Sequence, residues 1–374
     1  MSAVNITYSS YYPGSGGTPS APSNVTSITK DAGATVSFLA PASPGTSSVS
    51  SYTVTPYIAG AAQAPVTVSA GSAGSITGSN GSTYLQVPVT GLTNSTAYTF
   101  TVHASNSHGA GPESGQSGAN TPLPGLVFGD DFNGTASGPI DPEWWVYTRC
   151  GYLAQSEVQY YLPSQVTLDG SSNLVLTALH SSYTGPSYPS AGGGNQTQAW
   201  RSGAVQSNTR TYAPSTGNTM TFEVRFQTCT DAGNGYWPSP WLEGQTYLTA
   251  WKTDPLQSGW DTTGQAEIDI AEWPNGETNT DYATNVYTGS SFQQQNNPGT
   301  DLSAAMHTYQ ARWKPGVSVT FWFDGSQVQS DTTAVPASGA QFFLLIYLQM
   351  LAGGPTTTES VKADWFRVYD QNLG

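Results

Sequence analysis

Charged residues are scarce in this chain of 374 residues. Ten Lys and Arg together with 24 Asp and Glu make up 9 % of it, against roughly a quarter in an average soluble protein. So few charges argue against a coiled coil or a solvated helical bundle. The formal net charge of −14 argues against a surface that binds phosphates or nucleic acid. No run approaches the ~18–20 apolar residues that a membrane span needs.

Cysteine is rarer still, because Cys150 and Cys229 are the only two. They permit one disulfide, and two buried thiols are the alternative. The N-terminus lacks a basic patch followed by an apolar run, so no secretion signal is recognised in the sequence. The low Lys content and the abundance of Ser, Thr and Gly nevertheless favour a secreted protein, which we expect to be a monomer.

The residues that are abundant divide the chain into two parts. All eleven Trp, nine of the ten basic residues and 22 of the 24 acidic residues lie beyond residue 123. We therefore place a linker at 123–126, next to Pro122. Residues 1–17 end in Pro-Gly-Ser-Gly-Gly, which is typical of a flexible tail. Since 37 % of the chain is hydrophobic and 12 % aromatic, both larger parts are expected to fold.

Residues 18–122 contain short runs in which every second residue is apolar, as in half-buried strands. Examples are 35–39, 51–55 and 98–104. Tyr98 follows the turn at 91–95, the position of the tyrosine corner in a β-sandwich. The segment resembles a fibronectin type III domain at Pro19, Pro22, Tyr52, 89–92, Tyr98 and 104–109. This resemblance implies an all-β sandwich and indicates no chemistry.

Residues 127–374 alternate strand-like runs with turns rich in Gly, Asn and Ser. The clearest runs are 174–178, 220–226, 317–323 and 342–348, and no 3.6-residue period extends over a helix-length window. About 250 residues of this kind suit one large β-sandwich of two sheets.

The most informative segment is 266–273, Ala-Glu-Ile-Asp-Ile-Ala-Glu-Trp, which places three acids within six residues. On a regular strand Glu267 and Asp269 share one face, while the Ile side chains point to the core. Strict alternation would send Glu272 to the Ile face. We predict a β-bulge near 270–271 that returns Glu272 to the face of Glu267.

Two carboxyl groups on one side of a cleft are what glycoside hydrolysis requires. In the retaining mechanism an ionised carboxylate attacks the anomeric carbon, and a protonated carboxyl ~5–5.5 Å away donates its proton to the leaving oxygen. The spacing permits this if the side chains of Glu267 and Glu272 lean toward each other. The alternative is an ordinary solvated strand face. It is weakened by the many Trp residues between 237 and 273, because neutral sugars stack on such rings.

The order of motifs resembles glycoside hydrolase family 16, in the branch of laminarinase-type endo-β-1,3-glucanases with a bulged Glu-x-Asp-x-x-Glu strand. The resemblance extends over about residues 127–370. The segments that carry it are 128–134, 156–161, 200–205, 235–241, 267–272, 307–313, 323–325 and 361–369.

This resemblance implies a concanavalin-like β-jelly-roll over 127–374 and a retaining endo-hydrolase of β-1,3-linked, laminarin-like glucan. It makes Glu267 the nucleophile and Glu272 the acid/base, with Asp269 orienting Glu267. No cofactor is needed for catalysis, and the expected partner is a polysaccharide rather than nucleic acid or a membrane. Four cleft positions, 156, 204, 287 and 349, depart from the usual residues. An endo-hydrolase of another β-glycan (mixed-linkage glucan, galactan or agarose) and a non-catalytic glycan-binding module are therefore the alternatives.

The resemblance also assigns residues outside the acid triad. A Cys150–Cys229 disulfide is expected, as is a structural calcium held by Asp364 and the carbonyl of Gly170. The alternative for Asp364 is that it forms a salt bridge with Arg367 or caps a turn. The expected glycan-binding residues are Glu157, Trp237, Trp241, Trp251, Trp273, Tyr287 and Gln349.

Overall fold

The computed structural model describes residues 17–188, 192–253, 266–289 and 291–373. Within these ranges the chain forms β-strands and a few 3₁₀ turns, at Ala70–Ser72, Leu153–Gln155, Pro163–Gln165, Gln245–Tyr247 and Ala250–Lys252. No helical segment among them is long and apolar enough to cross a membrane. The tail predicted for 1–17 lies outside the described residues, apart from Gly17.

The first β-sandwich has two sheets. Its strands are β1 (Ser23–Lys30), β2 (Gly33–Leu39), β3 (Ser51–Ile58), β4 (Ala61–Ala62), β5 (Val66–Ser69), β6 (Gly74–Thr77), β7 (Thr83–Thr90), β8 (Thr99–Asn106) and β9 (Gly109–Ala110). One sheet has the order β1-β2-β7-β6, and the other has the order β4-β3-β8-β9 with β5 paired to β3. The predicted alternating runs overlap β2, β3 and β8, whose inward residues Val36, Phe38, Val54, Phe100 and Val102 are fully buried.

The tyrosine corner predicted at Tyr98 is confirmed. The backbone N–H of Thr93 donates to the Tyr98 hydroxyl at 3.0 Å, which ties the turn before β8 to the start of that strand. The ring itself is buried, so the bond is shielded from water.

The second β-sandwich contains the remaining strands. They are β10 (Leu126–Asp130), β11 (Trp144–Val146), β12 (Arg149–Cys150), β13 (Gln159–Tyr161), β14 (Val166–Leu168), β15 (Leu174–Ala178), β16 (Tyr183–Pro186), β17 (Asn195–Gln198), β18 (Trp200–Ser202), β19 (Ala204–Ser207), β20 (Thr219–Gln227), β21 (Tyr236–Gly244), β22 (Glu267–Glu272), β23 (Tyr282–Tyr287), β24 (Ser291–Asn296), β25 (His307–Lys314), β26 (Ser318–Phe323), β27 (Ser326–Asp331), β28 (Phe342–Met350) and β29 (Glu359–Gln371).

Two large sheets form this sandwich, as the strand pattern predicted. The outer sheet has the order β27-β26-β25-β20-β29-β10, and β15 also pairs with β29. The cleft sheet has the order β11-β19-β28-β21-β22-β23-β24. The main core lies between the two sheets and is rich in aromatic rings, with Trp144, Phe222, Trp273 and Trp313 at most 1 % exposed.

The two sandwiches share a continuous sheet, because β1 pairs antiparallel with β10 at Thr29 and Gly129. The hydroxyl of Thr29 donates to the Gly129 carbonyl at 3.2 Å. Ile28 of β1 is buried in the main core of the second sandwich rather than in its own. Leu126, the last residue of the predicted linker, is already the first residue of β10, so only residues 123–125 lie between Pro122 and that strand.

The predicted Cys150–Cys229 disulfide is wrong, because both cysteines are free and buried. They lie in different apolar clusters: Cys229 belongs to the main core, and Cys150 packs with Tyr160, Leu162 and Tyr188. The sulfur of Cys150 instead accepts a hydrogen bond from Gln198 Nε2 at 3.0 Å. The prediction rested on the order of motifs, which does not fix the distance between two side chains.

Candidate active site

Strand β21 supplies one wall of a cleft on the cleft sheet. Its residues alternate, so that Trp237, Ser239, Trp241 and Glu243 face the cleft while Leu242 is buried in the main core. The cleft has a volume of about 260 Å³. The residues lining it are Arg149, Tyr152, Gln155, Glu157, Trp237, Ser239, Trp241, Glu243, Tyr247, Trp251, Ala266, Glu267, Asp269, Glu272, Pro274, Asn285, Tyr287, Gln293, Tyr347 and Gln349.

The predicted bulge in β22 is confirmed. Asp269 pairs with Asn285 and Glu272 pairs with Ala283, so three residue steps on β22 face two on β23. Ile268 and Ile270 point into the main core. The extra residue places Glu267, Asp269 and Glu272 together on the cleft face.

Each acid of β22 has a different set of neighbours. Trp237 Nε1 donates to Glu272 Oε2 at 3.1 Å. Asp269 shares a hydrogen bond with Glu267 and accepts one from Asn285. Glu267 lies opposite Glu243 on one neighbouring strand and opposite Tyr287 on the other. The triad is thus held from both sides by strands of the same sheet.

Burial is the main electrostatic feature of the triad. It raises the pKa of Glu267, Asp269 and Glu272 well above their ordinary values, because charged carboxylates lose their hydration there. Repulsion from Asp269 raises the pKa of Glu272 further, and the hydrogen bond from Trp237 opposes that rise. Not all of these groups can be ionised at once, so the site contains both charged and neutral carboxyls at neutral pH.

Six of the seven predicted glycan-binding residues line the cleft: Glu157, Trp237, Trp241, Trp251, Tyr287 and Gln349. Trp273 does not, and that prediction is wrong. It is fully buried in the main core, with its ring centre 6.0 Å from that of Phe226 and 5.9 Å from that of Tyr282. The bulge explains the error, because once Glu272 faces the cleft the next residue must face the core.

An aromatic corner lies beside the triad. The ring centres of Trp241 and Trp251 are 5.1 Å apart, and Tyr347 meets Trp241 edge-on at 5.5 Å. The indole N–H groups of both Trp residues are buried, and neither has a hydrogen-bond partner among the described residues; the same holds for the Ser239 hydroxyl. A ligand rich in hydroxyl groups would satisfy these polar atoms while its apolar faces stack on the rings.

Several lining residues were not predicted. Arg149 is 4 % exposed, lies 4.6 Å from the centre of the Tyr147 ring and donates to the Tyr347 hydroxyl at 3.2 Å. The sequence carries no signal for it. Glu243, by contrast, follows from the alternation of β21, since it lies two residues beyond Trp241 on the same face. Tyr247, Asn285 and Gln293 were also missed.

The predicted calcium ligands do not fit a cation site well. The Asp364 carboxylate already pairs with the Arg225 guanidinium at 3.1 Å, so an ion would have to displace a positive charge. Asp364 thus forms a salt bridge, although with Arg225 rather than Arg367. Across the part of the chain that the structure describes, no three His, Cys, Asp or Glu side chains form a group able to hold a metal.

Comparison with known proteins agrees with this geometry. Residues 196–367 match the model of the glycosyl hydrolases family 16, and residues 20–119 match that of the fibronectin type III domain. The fold is similar to that of the endo-1,3-β-glucanase from Streptomyces sioyaensis, with 22 % identity and a TM-score of 0.53, over 67 % of this chain and 98 % of that one. It is also similar to the endo-β-1,3-glucanase from Pyrococcus furiosus, with 19 % identity and a TM-score of 0.52, over 66 % and 94 %. No curated protein sequence matches significantly.

The chain is therefore a glycoside hydrolase. Its second sandwich belongs to glycosyl hydrolase family 16 and follows a fibronectin type III domain.

Proposed function

We propose that this chain is a retaining endo-hydrolase of β-1,3-linked glucan, with Glu267 as nucleophile and Glu272 as acid/base. The observation that carries the proposal is the bulged β22, which presents both glutamates to one cleft with Asp269 between them. Solved structures of similar fold include endo-1,3-β-glucanases from two organisms, which favours this linkage.

In the first step the ionised Glu267 carboxylate attacks the anomeric carbon, and the glycosidic C–O bond breaks. Glu272 gives its proton to the departing oxygen, so the leaving sugar departs as a neutral alcohol and Glu272 becomes ionised. The raised pKa of Glu272 keeps that proton available near neutral pH. The hydrogen bond from Asp269 holds Glu267 in place and favours its charged form.

In the second step a water molecule attacks the same carbon and displaces Glu267. Glu272, now a carboxylate, takes the proton from this water and returns to its starting state. Two inversions give net retention of the β-configuration. The indole N–H of Trp237 stabilises the charge that Glu272 carries between the two steps.

The lining of the cleft suits a neutral glucan. Trp241 and Trp251 offer ring faces. Ser239 and Gln349 offer buried oxygens that have no hydrogen-bond partner among the described residues and are available to sugar hydroxyls. Of the described residues that line the cleft, one is Arg and none is Lys, so a sulfated or otherwise anionic glycan would meet mostly carboxylates.

The test is product analysis on laminarin, curdlan, lichenan and agarose, combined with proton NMR of the first products. We expect oligosaccharides from laminarin and curdlan, with the β-anomer appearing before mutarotation. An initial α-anomer would contradict the retaining mechanism. Cleavage of agarose or lichenan with laminarin left intact would keep the mechanism and overturn the substrate. Secretion and a monomeric state remain predictions, to be checked by fractionation and light scattering.

A further inference from the structure

Arg149 is a buried positive charge in the wall of the cleft. It belongs to the cleft lining and is 4 % exposed. Among the ion pairs formed by the described residues, none includes Arg149. Glu157 of the lining interacts with it electrostatically, but the Glu157 carboxylate accepts hydrogen bonds from the Tyr152 N–H at 2.7 Å and from Gln159 Nε2 at 2.6 Å. A buried guanidinium without a carboxylate partner is costly, so other groups must compensate it.

Three tyrosine rings surround the guanidinium of Arg149. Its central carbon lies 4.6 Å from the ring centre of Tyr147, 5.3 Å from that of Tyr161 and 5.9 Å from that of Tyr347. Nη1 donates to the Cys150 carbonyl at 3.0 Å, and Nη2 donates to the Tyr347 hydroxyl at 3.2 Å. The rings stabilise the charge, and the two hydrogen bonds fix the plane of the guanidinium.

These contacts do not use all the donors of Arg149. A guanidinium has five N–H groups and no acceptor, and two of the five are bonded within the described residues. Nε is buried and has no hydrogen-bond partner among the described residues. A buried donor without a partner is destabilising. The remaining N–H groups are therefore suited to a ligand that supplies oxygen acceptors.

The same part of the cleft offers acceptors for such a ligand. Tyr347 on β28 lies opposite Ser239 on β21, and Gln349 lies two residues beyond Tyr347 on the same face. The Ser239 hydroxyl and Gln349 Oε1 are buried and have no partner among the described residues. The hydroxyls of a glucan both accept and donate, so they can accept from Arg149 and donate to Gln349. An ionised sulfate or carboxylate group has no proton to donate.

This group of residues lies away from the catalytic strand. Strands β28 and β22 flank β21 on opposite sides, so Tyr347 is two strand spacings, about 10 Å in the sheet, from β22. Arg149 approaches Tyr347 from the separate three-stranded sheet β12-β13-β18. A sugar unit held by Arg149 is therefore remote from the bond that the carboxyl groups would cleave.

We propose that Arg149 is a glycan-binding residue, whose guanidinium donates to hydroxyl oxygens of a neutral glucan at a sugar unit remote from the cleaved bond. This deepens the proposed function and rests on it, since that function makes the cleft a glucan-binding groove. The tyrosine contacts hold the guanidinium in place before the glucan arrives, so little side-chain freedom is lost on binding. A chain without oxygens at this position would leave the donors unsatisfied and would bind more weakly.

The test is calorimetric titration of laminarihexaose into the Glu267→Gln protein, in which we expect no hydrolysis. Adding Arg149→Met removes the N–H donors and keeps an unbranched side chain. We expect the dissociation constant to rise about tenfold or more, because hydrogen bonds from a charged donor to the sugar are lost. Arg312→Met on the outer sheet is the matched control. Arg312 also stacks on a ring, that of Trp322 at 3.8 Å, and its loss should leave the dissociation constant unchanged.

A second measurement leaves Arg149 in place. The chain has six Arg, so their Nε–H groups give a small set of signals in a ¹H–¹⁵N spectrum. Saturating laminarihexaose should shift the Arg149 signal and produce cross-peaks between it and sugar protons, whereas the Arg312 signal should not change. A role confined to bracing the tyrosine rings would give no cross-peak with the sugar. The signal is assigned by its loss in Arg149→Met or, if that variant fails to fold, by its contacts with the Tyr147 ring.

Either of two results would overturn the inference. One is a dissociation constant within about twofold of the unsubstituted value in a folded Arg149→Met protein. The other is the absence of sugar cross-peaks from Arg149 at saturation.

Failure of the proposed function would give a different pattern. If laminarihexaose does not bind but a mixed-linkage or agarose oligosaccharide does, the β-1,3 substrate is refuted, and Arg149→Met is measured with the oligosaccharide that binds. Binding of a sulfated oligosaccharide alone would refute both the neutral substrate and the inference, because the guanidinium would then serve an anion. Binding of none of these oligosaccharides would also refute both.

Discussion

The indole N–H of Trp237 donates to Oε2 of Glu272 across 3.1 Å, from the neighbouring strand of the cleft sheet. A hydrogen bond to a carboxylate favours the charged form and so lowers its pKa. In this site the bond works against burial and against Asp269, both of which raise the pKa of Glu272. Trp237 therefore tunes the group that we propose as the acid/base.

Trp237→Phe should shift the alkaline limb of kcat/KM to higher pH. Without the indole N–H the charged form of Glu272 loses a stabilising hydrogen bond. The pKa of Glu272 therefore rises, and its carboxyl group stays protonated to a higher pH. We expect a shift of about half to one pH unit and a lower kcat, because the charge that forms on Glu272 is less stable. Trp322→Phe on the outer sheet is the control. A limb that moves to lower pH contradicts the assignment.

Removing either proposed catalytic carboxyl group should abolish most of the activity. We expect Glu267→Gln and Glu272→Gln to lower kcat by orders of magnitude with unchanged circular dichroism, since both side chains face the cleft. In Glu267→Ala, azide should restore turnover of an activated aryl β-glucoside and give the α-glycosyl azide. Substantial activity in both Gln variants would mean that these acids are structural.

Buried acids at the junction of the two sandwiches predict a pH-dependent stability. Asp130 and Asp141 line a small cavity there with Thr26, Ser27 and Asn120 of the first sandwich. Burial raises the pKa of Asp130 from 3.8 to about 7 and that of Asp141 well above its ordinary value. Between about pH 4 and pH 7 these acids hold protons in the folded state that they lose in the unfolded state, so the folded state binds more protons. The free energy of unfolding should therefore fall as the pH rises from about 4 to 7.

The shift of Asp130 corresponds to about 4 kcal/mol over this range. Asp141→Asn should flatten the fall and stabilise the protein at about pH 8, because the amide keeps the hydrogen bond from the Glu143 N–H and carries no charge. Urea unfolding at several pH values measures the effect. A slope in Asp141→Asn equal to that of the unsubstituted protein would assign the dependence to other groups.

Asn208 links the fibronectin type III domain to the wall of the cleft. Its Nδ2 donates to the Thr77 carbonyl at 2.8 Å, and its Oδ1 accepts from Lys252 Nζ at 2.6 Å. Lys252 directly follows Trp251, whose ring stands against Trp241. We expect Lys252→Met to raise KM for a long glucan by about three- to tenfold with little change in kcat, because the Trp251 ring loses its anchor. Lys362→Met on the outer sheet should leave both constants unchanged.

Local patterns predicted most of the strands and the β22 triad. Alternation identified the strand faces, and the need to bring Glu272 to the face of Glu267 identified the bulge, which the register confirms. Alternation beyond the bulge places Trp273, the residue after Glu272, in the core. Alternation along β21 places Glu243, two residues after Trp241, in the cleft. The positions of Trp273 and Glu243 were therefore both predictable from the alternation of their own strands.

Other features have no local signal. The buried Arg149 and the pairing of β1 with β10 depend on contacts between segments far apart in sequence. No periodicity in either segment distinguishes a strand that pairs across domains from one that ends a sheet. The two free cysteines belong to the same class, since a pairing inferred from resemblance carries no information on distance.

The shared sheet also bears on aggregation. A strand at the edge of a sheet exposes unpaired N–H and C=O groups that can recruit another chain. In this protein β1 pairs with the otherwise free edge of β10. Ile28 of β1 is also buried in the main core of the second sandwich. Removing the first domain at the predicted linker would therefore expose the unpaired edge of β10. It would also leave a cavity in the main core where Ile28 packs. The first domain therefore protects the second from edge-to-edge aggregation.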